Sequence, residues 1–248
     1  MYGYLVALQF LSRLPSPIRR SISLDDLGRS IVWFPLVGAT IGAIVVGLNF
    51  SFQTVFHPAV AAALTVVALV AISGALHLDG VIDTAGALAA GGGGVGLAVM
   101  REPGASASGV AAGCLVLFGT YAALLALPAA QQSAALLVAL TGSRATILLS
   151  YHLYPYARLE AGFSAVLKRE STRPRVVGGL LSAGLVAFGM AGPPGLVLLG
   201  TASGLALLVG LPIGRRLGGL TGDVHGALCE VAQLATLVAA PFVLSRTG

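Results

Sequence analysis

Two aspartates separated by one helical turn are the first residues in this sequence that could carry chemistry. Asp79 and Asp83 lie in the segment GALHLDGVIDT, residues 74–84. In a helix this spacing places both carboxylates on one face, where they could share a hard cation such as Mg²⁺ or Mn²⁺. Since two like charges so placed repel each other, a bound cation would explain why both are present. The alternative is a solvated pair at a helix end, and the spacing alone does not choose between them.

A second cluster is the glycine-rich segment RRLGGLTGDVHG, residues 215–226. Its glycines allow close backbone approach to a ligand, and Arg215 could face phosphate oxygens. Asp223 could supply another ligand to the same metal. The alternative is an ordinary basic loop with turn glycines. Arg215 is therefore a candidate substrate contact, and Asp223 a candidate catalytic and metal-binding residue.

Two further ionisable residues stand in unusual places. His77 precedes Asp79 by two residues and is a candidate catalytic residue, as an acid–base group or a substrate hydrogen-bond partner. A histidine near a membrane interface is nevertheless more often structural. Arg144 lies inside an apolar run, where a charge costs about 3 kcal/mol and requires a partner. Glu230 in the last apolar stretch could pair with it, or Arg144 could point at a substrate phosphate.

The composition decides what positions these residues. Of 248 residues, 56% are hydrophobic and only 9% are charged, whereas charged residues make up about 25% of soluble proteins. A bilayer is the solvent in which this much apolar surface can be buried, so we expect an all-α, polytopic membrane bundle formed by one integral domain, residues 1–248. The net charge of +5 does not indicate nucleic-acid binding, because the arginines lie in loops between apolar stretches.

Helices need about 20 apolar residues to cross a bilayer, and the sequence contains seven candidate stretches. The fifth is short and the fourth carries Arg144, so six or eight spans are the alternatives. Residues 1–12 add a candidate half-buried interfacial helix. The predicted spans are Ile31–Phe50, Pro58–Leu76, Ser108–Leu127, Ser133–His152, Val176–Met190, Gly195–Pro212 and Ala227–Leu244.

The basic residues predict the orientation of these spans. Cytoplasmic loops are enriched in Lys and Arg, and all basic residues in the loops fall on one side, with Arg246 alone on the other. This alternation predicts a multi-pass protein of the cell inner membrane with its amino terminus in the cytoplasm. Asp79, Asp83, Glu102 and Asp223 then share the cytoplasmic face, which predicts a site there.

Several segments together resemble the cobalamin synthase family, the adenosylcobinamide-GDP ribazoletransferases. They occur in the family's order and at about its spacing, and they cover nearly the whole chain. The combination of HLDG, a following DT and the distal GGLTGD is the most specific part. The segments are FLSRLPSP (10–17), WFPLVG (33–38), HLDG (77–80), Asp83-Thr84, Met100-Arg101, Ser143-Arg144 and GGLTGD (218–223).

The resemblance implies a Mg²⁺-dependent inner-membrane enzyme that joins adenosylcobinamide-GDP with α-ribazole or its 5′-phosphate and releases GMP. It implies metal-binding carboxylates at Asp79, Asp83 and Asp223. By the same resemblance, the residues that contact phosphate or corrinoid are Arg13, Arg101 and Arg144. The expected partners are the two substrates and the lipid bilayer, and a homo-oligomer is possible.

This sequence departs from the family pattern at two positions. Gly86 stands where family members usually carry a third aspartate, and Glu102 replaces the aspartate that usually follows Met-Arg. Glu102, Asp223 or water would then complete the coordination of the metal, since Mg²⁺ commonly retains several waters. A catalytically weakened family member is the corresponding alternative.

The alternative functions are a CDP-alcohol phosphotransferase and a membrane transporter. A CDP-alcohol phosphotransferase also uses membrane-embedded aspartates and Mg²⁺, but its longer aspartate signature is absent here. A transporter would distribute polar groups across the depth of the membrane, whereas this chain concentrates them at one face.

Overall fold

The computed structural model describes residues 1–19, 21–157 and 162–245. Arg20, Arg158 and Arg246, which enter the orientation argument, lie outside these residues. Apart from one isolated bridge between Tyr156 and Leu220, the described part of the chain is helical or irregular, as predicted. The helices are α1 (Tyr2–Leu11), α2 (Leu24–Ser30), α3 (Phe34–Val55), α4 (Pro58–Ser73), α5 (Leu76–Ala89), α6 (Gly93–Val99), α7 (Ala107–Ala126), α8 (Ala129–Leu153), α9 (Phe163–Glu170), α10 (Arg173–Leu217) and α11 (Gly222–Leu244).

Five of the helical segments are long and apolar enough to cross a membrane, or six if the bent pair α4 and α5 counts as one span. The longest, α10, has a non-helical residue at Gly192. A Cβ built on Gly195 would overlap the carbonyl oxygen of Ala187, although in a straight helix these residues are about 12 Å apart along the axis. Since α10 therefore reverses at Gly192, its two arms bring the total to about seven spans.

The bundle packs around α8, the most buried span, with 78% of its apolar window inside the protein. A Cβ on Gly38 of α3 would overlap the Leu140 carbonyl oxygen of α8, and one on Gly42 would lie 2.8 Å from a Leu137 methyl group. The absence of these side chains lets the two helices approach closely, as membrane helices commonly do at small residues. Gly38 and Gly42 therefore form a packing face of α3.

The chain turns by 89° between α4 and α5. Gly74 and Ala75 both adopt the left-handed conformation there, with φ of 63° and 59°, which costs about 1–2 kcal/mol at the non-glycine position. Arg13 fills the space beside the bend: a Cβ on Gly74 would overlap its guanidinium group, and its backbone N–H donates to the Ile72 carbonyl at 2.7 Å. The bend starts α5, and with it the HLDG motif, at one end of the bundle.

We call this the basic end, because Arg13, Arg101 and Arg215 all lie there. It is the end at which α4, α8 and the second arm of α10 finish and α7 and α11 begin. The helix α11 starts at Gly222, five residues before the predicted span. Asp223 therefore lies in the first turn of a helix and not in a loop.

Candidate active site

The two segments with candidate carboxylates meet directly through a glycine. A Cβ built on Gly80 of α5 would overlap the carbonyl oxygen of Asp223 and lie 3.2 Å from the backbone nitrogen of Ala227, both on α11. Since any side chain at position 80 would force the helices apart, this glycine is what allows α5 to lie against the start of α11. The contact brings the HLDG and GGLTGD segments together, although they are more than a hundred residues apart.

Asp79 and Asp223 line one cavity between α5 and α11. Asp79 is exposed and Asp223 is partly buried, where the Thr221 hydroxyl donates to its Oδ2 at 3.2 Å. Each aspartate lies in the first turn of its helix, where the partial positive charge of the helix N-terminus stabilises anions. The full lining is Phe10, Leu11, Phe34, Leu76, His77, Asp79, Ile147, Tyr151, Phe163, Gly222, Asp223, His225 and Gly226.

His77 is a second predicted residue in this cavity. It is only 3% exposed, and neither ring nitrogen has a hydrogen-bond partner among the described residues. The ring packs beside α11, because a Cβ on Gly226 would lie 3.7 Å from its Cδ2. Burial of an unpaired imidazole is unfavourable, so this side chain is poised to bond to something that enters the cavity.

His225 is in the same cavity but is already engaged. Its Nδ1 shares a 2.8 Å hydrogen bond with the Ser150 hydroxyl, and its ring lies 3.7 Å from that of Tyr151, centroid to centroid. These contacts give His225 a structural role that ties α11 to α8. His225 is therefore hydrogen-bonded within the protein, whereas His77 is not bonded to any described residue.

The carboxylates at this site provide two ligands on separate helices. Asp83 lies one turn beyond Asp79 on α5, partly buried, and Glu102 is exposed in the turn after α6; neither lines the cavity. Within the described ranges, no group of three or more His, Cys, Asp or Glu side chains is placed to hold a metal ion. The pair Asp79 and Asp223 still fits Mg²⁺, which proteins usually bind through one or two carboxylates together with substrate phosphates.

The predicted phosphate-binding arginines divide into two groups. Arg13, Arg101 and Arg215 are exposed at the basic end and are not part of the cavity lining. Arg13 lies at the bend that begins α5. The N-terminus of α6 lies beside the last turn of α10, because a Cβ on Gly92 would be 3.1 Å from the Arg216 carbonyl oxygen. Exposed cations therefore lie at the same end of the bundle as the cavity.

Arg144 lies elsewhere. It is 2% exposed and faces a separate cavity, which Glu230 and Gln233 also line. Its Nη1 donates to the Ser143 hydroxyl at 2.8 Å and to Gln233 Oε1 at 2.9 Å, and Gln233 Nε2 approaches Glu230 at 3.5 Å. The interaction with Glu230 is thus relayed by an amide, and a substrate contact for Arg144 stays a prediction.

The aromatic side chains of the cavity were not predicted as site residues. Phe34 follows Trp33 at a position typical of a membrane-interface residue, but its side chain is fully buried and lines the cavity. Phe10 stacks on Phe34 at 6.0 Å and contacts Phe163 at 5.9 Å, between ring centroids. Nothing in their spacing signals this cluster, since the rings come from α1, α3 and α9.

A lysine that the sequence analysis did not select lies close to the site on α9. Lys168 is partly buried, its ammonium group donates to the His152 carbonyl at 3.0 Å, and burial lowers its pKa. The same helix contributes Ser164, whose hydroxyl accepts a hydrogen bond from Tyr151 at 3.1 Å. The short helix α9 therefore closes one side of the cavity.

Comparison with known proteins agrees with the motifs. The family model for cobalamin-5-phosphate synthase matches residues 3–241. Three similar proteins are each named adenosylcobinamide-GDP ribazoletransferase: one of Pseudomonas paraeruginosa, 40% identical over 96% of this chain and 97% of its own, one of Stutzerimonas stutzeri, 35% identical over 99% and 100%, and one of Desulforamulus reducens, 33% identical over 92% and 91%. No solved structure matches the chain.

Proposed function

Because this chain belongs to the cobalamin-5-phosphate synthase family, we propose that it joins adenosylcobinamide-GDP with α-ribazole, or with α-ribazole 5′-phosphate, and releases GMP. The product is adenosylcobalamin or its 5′-phosphate. Relatives with this name align over more than nine-tenths of the chain, which supports the substrates. The alternatives of a CDP-alcohol phosphotransferase and a transporter have no comparable support.

The observation that carries the proposal at the level of the site is the meeting of Asp79 and Asp223 in one cavity. A hydroxyl group of the ribazole attacks the phosphorus that bears the cobinamide, and GMP leaves with the additional negative charge. A bound Mg²⁺ ion would neutralise charge on the diphosphate and on the leaving group. Asp79 and Asp223 would hold the ion. Asp83, which the family pattern suggests, and Glu102, which replaces the family's aspartate, are further candidate ligands.

The arginines would neutralise the remaining negative charge of the diphosphate. Arg13, Arg101 and Arg215 lie at the same end of the bundle as the carboxylates, and a guanidinium group pairs well with phosphate oxygens through two parallel hydrogen bonds. Such contacts position the substrate and stabilise the transition state without covalent catalysis. Arg144, in its separate cavity, would contact a more distant part of the substrate.

We place the reaction at the cytoplasmic face of the inner membrane. The basic end holds the loop arginines, and cytoplasmic loops are the basic ones in membrane proteins. Nucleotide substrates are found on that side as well. The five to six apolar helices support a multi-pass protein, and the arrangement requires no other domain.

The proposal is tested by incubating the purified protein in lipid nanodiscs with adenosylcobinamide-GDP, α-ribazole and Mg²⁺. We expect release of GMP together with one equivalent of cobamide, and loss of both when EDTA removes the metal. A reaction that proceeds in EDTA would reject the metal, and no GMP release with either form of ribazole would reject the function. Separate reactions with free and phosphorylated ribazole establish which form is used.

A further inference from the structure

Six rings also line the cavity that contains Asp79 and Asp223, and the metal chemistry assigns no role to them. Because four of these rings are buried, we call this the inner part of the cavity. The rings come from α1, α3, α5, α8, α9 and α11, so six elements converge on it. They belong to Phe10, Phe34, His77, Tyr151, Phe163 and His225. Such a lining favours a flat aromatic ligand, because rings pack against rings in stacked and edge-to-face arrangements.

The polar atoms of this inner part narrow the choice of ligand. The Tyr151 hydroxyl donates to Ser164, and the Nδ1 of His225 is bonded to Ser150. The two nitrogens of His77, by contrast, are buried without a partner among the described residues. A neutral imidazole offers one N–H donor and one acceptor nitrogen. Its donor fits a mostly apolar heterocycle with an exposed acceptor nitrogen.

Three flat aromatic heterocycles occur in the substrates of the proposed function, on which this inference rests: adenine, guanine and dimethylbenzimidazole. Adenine carries an amino group, which needs hydrogen-bond partners of its own. Guanine presents an amide and an amino group, which need several partners, and each buried polar group left unpaired costs about 1–3 kcal/mol. The dimethylbenzimidazole of α-ribazole has no N–H and a single free acceptor nitrogen. We propose that the inner cavity binds the benzimidazole base of α-ribazole, with the His77 N–H donating to its free ring nitrogen.

The position of His77 agrees with the reaction geometry. His77 and Asp79 both lie in the first turn of α5, so a base held at His77 places its attached ribose beside the carboxylates. The nucleophilic hydroxyl group is on that ribose, and the diphosphate would lie at the exposed side of Asp79. His77 is thus a substrate-binding residue that selects and orients the acceptor.

The test measures binding of α-ribazole without Mg²⁺ and without adenosylcobinamide-GDP, by calorimetry in nanodiscs. A second ligand is the matching indole riboside, in which the acceptor nitrogen is replaced by carbon. We expect wild-type protein to bind α-ribazole about tenfold more tightly, the equivalent of one hydrogen bond of about 1.4 kcal/mol. His77→Phe, which keeps a ring of similar shape without the donor, should bind the two ligands equally.

His57→Gln is the matched control, because His57 is exposed at the start of α4, and it should keep the tenfold preference. Equal binding of the two ligands by wild-type protein would overturn the proposal, and this result does not depend on whether His77→Phe folds. A preference for α-ribazole that persists in His77→Phe would overturn the proposal too. So would a His77→Phe protein that binds GMP more weakly but binds α-ribazole as tightly as wild type. Failure of the proposed function would instead appear as absence of GMP release while the preference for α-ribazole remains.

Discussion

Two polar regions lie at opposite ends of the helix bundle, and they differ in how completely their hydrogen bonds are paired. At the end remote from the basic residues, Gln132 Oε1 accepts from Asn49 Nδ2 at 2.9 Å and from Gln53 Nε2 at 2.6 Å. The Thr65 hydroxyl donates to Asn49 Oδ1 at 2.9 Å, and the Gln132 amide donates to two backbone carbonyls. Among the described residues, one buried atom next to this network, Gln131 Oε1, lacks a hydrogen-bond partner, whereas at the basic end both ring nitrogens of the buried His77 lack one.

The difference separates polar groups that hold the bundle together from polar groups that wait for a ligand. A buried donor or acceptor without a partner is costly in an apolar medium, so a paired amide network stabilises helix packing. A bound substrate that pairs with the imidazole of His77 would offset that cost. We therefore expect substitutions at the remote end to change stability, and substitutions at the basic end to change activity.

The largest effect is expected from removing a carboxylate charge at the basic end. Asp79→Asn and Asp83→Asn should each lower kcat/KM about 10³-fold if they hold the metal, the equivalent of about 4 kcal/mol. The temperature of thermal unfolding should stay within a few degrees of wild type, because the new side chain has the same shape. Steady-state GMP release measures kcat/KM, and thermal unfolding in nanodiscs measures the unfolding temperature.

Asp25→Asn is the control for charge at this end, since Asp25 is exposed and pairs with Arg169 at 2.5 Å on the surface. It should leave kcat/KM unchanged. A mild effect of Asp79→Asn, comparable with that of Asp25→Asn, would return the HLDG aspartate to a solvated surface role.

Gly80→Ala should lower both stability and activity, because its Cβ would overlap the Asp223 carbonyl oxygen. We expect a loss of about 1–3 kcal/mol in stability from overpacking and at least a tenfold loss of activity, as α5 and α11 move apart. Gly47→Ala on α3 is the matched control, since a Cβ there meets nothing within 4 Å. An active and stable Gly80→Ala protein would show that the two helices do not need this contact.

Gln132→Leu tests the remote network. Removing the shared acceptor leaves the Asn49 and Gln53 amide groups without their partner, which should cost about 1–2 kcal/mol of stability. The KM values for both substrates should not change. A changed KM with wild-type stability would contradict the assignment of stability to the remote end and of activity to the basic end.

The smallest effect is expected from Gly86→Asp, which restores the carboxylate that the family pattern suggests. A Cβ at this buried position lies 2.8 Å from the Ser106 hydroxyl, which can rotate away. We expect a few-fold lower Mg²⁺ concentration for half-maximal activity, because one added ligand strengthens a site that otherwise relies on water. Gly86→Asn, with the same shape but no charge, should show no gain.

The helices and their order could be predicted from the sequence, because apolar stretches of membrane-spanning length are a strong signal. The bend at Gly74 and Ala75 could not. Ala75 has a positive φ of 59°, which alanine rarely adopts, and only the packing of Arg13 beside it accounts for the turn. The two arms of α10 on either side of Gly192 match the two predicted spans Val176–Met190 and Gly195–Pro212.

The carboxylates of the candidate site could also be selected from the sequence, through their residue types and their motifs. The aromatic part could not, because Phe10, Tyr151 and Phe163 lie in separate segments and resemble ordinary membrane-facing residues. Only tertiary packing distinguishes the buried Phe34 from the exposed Phe50. The unpaired state of His77 is likewise a property of its surroundings and not of its sequence context.

The central claim is that Asp79 and Asp223 act together on one substrate, and a double-mutant cycle on kcat/KM tests it most directly. If both carboxylates hold the same ion, either Asp79→Asn or Asp223→Asn alone abolishes the shared interaction, and the double variant should be little worse than either single one. Losses that simply multiply in the double variant would mean that the two residues act independently, and the account of a joint site between α5 and α11 would be contradicted.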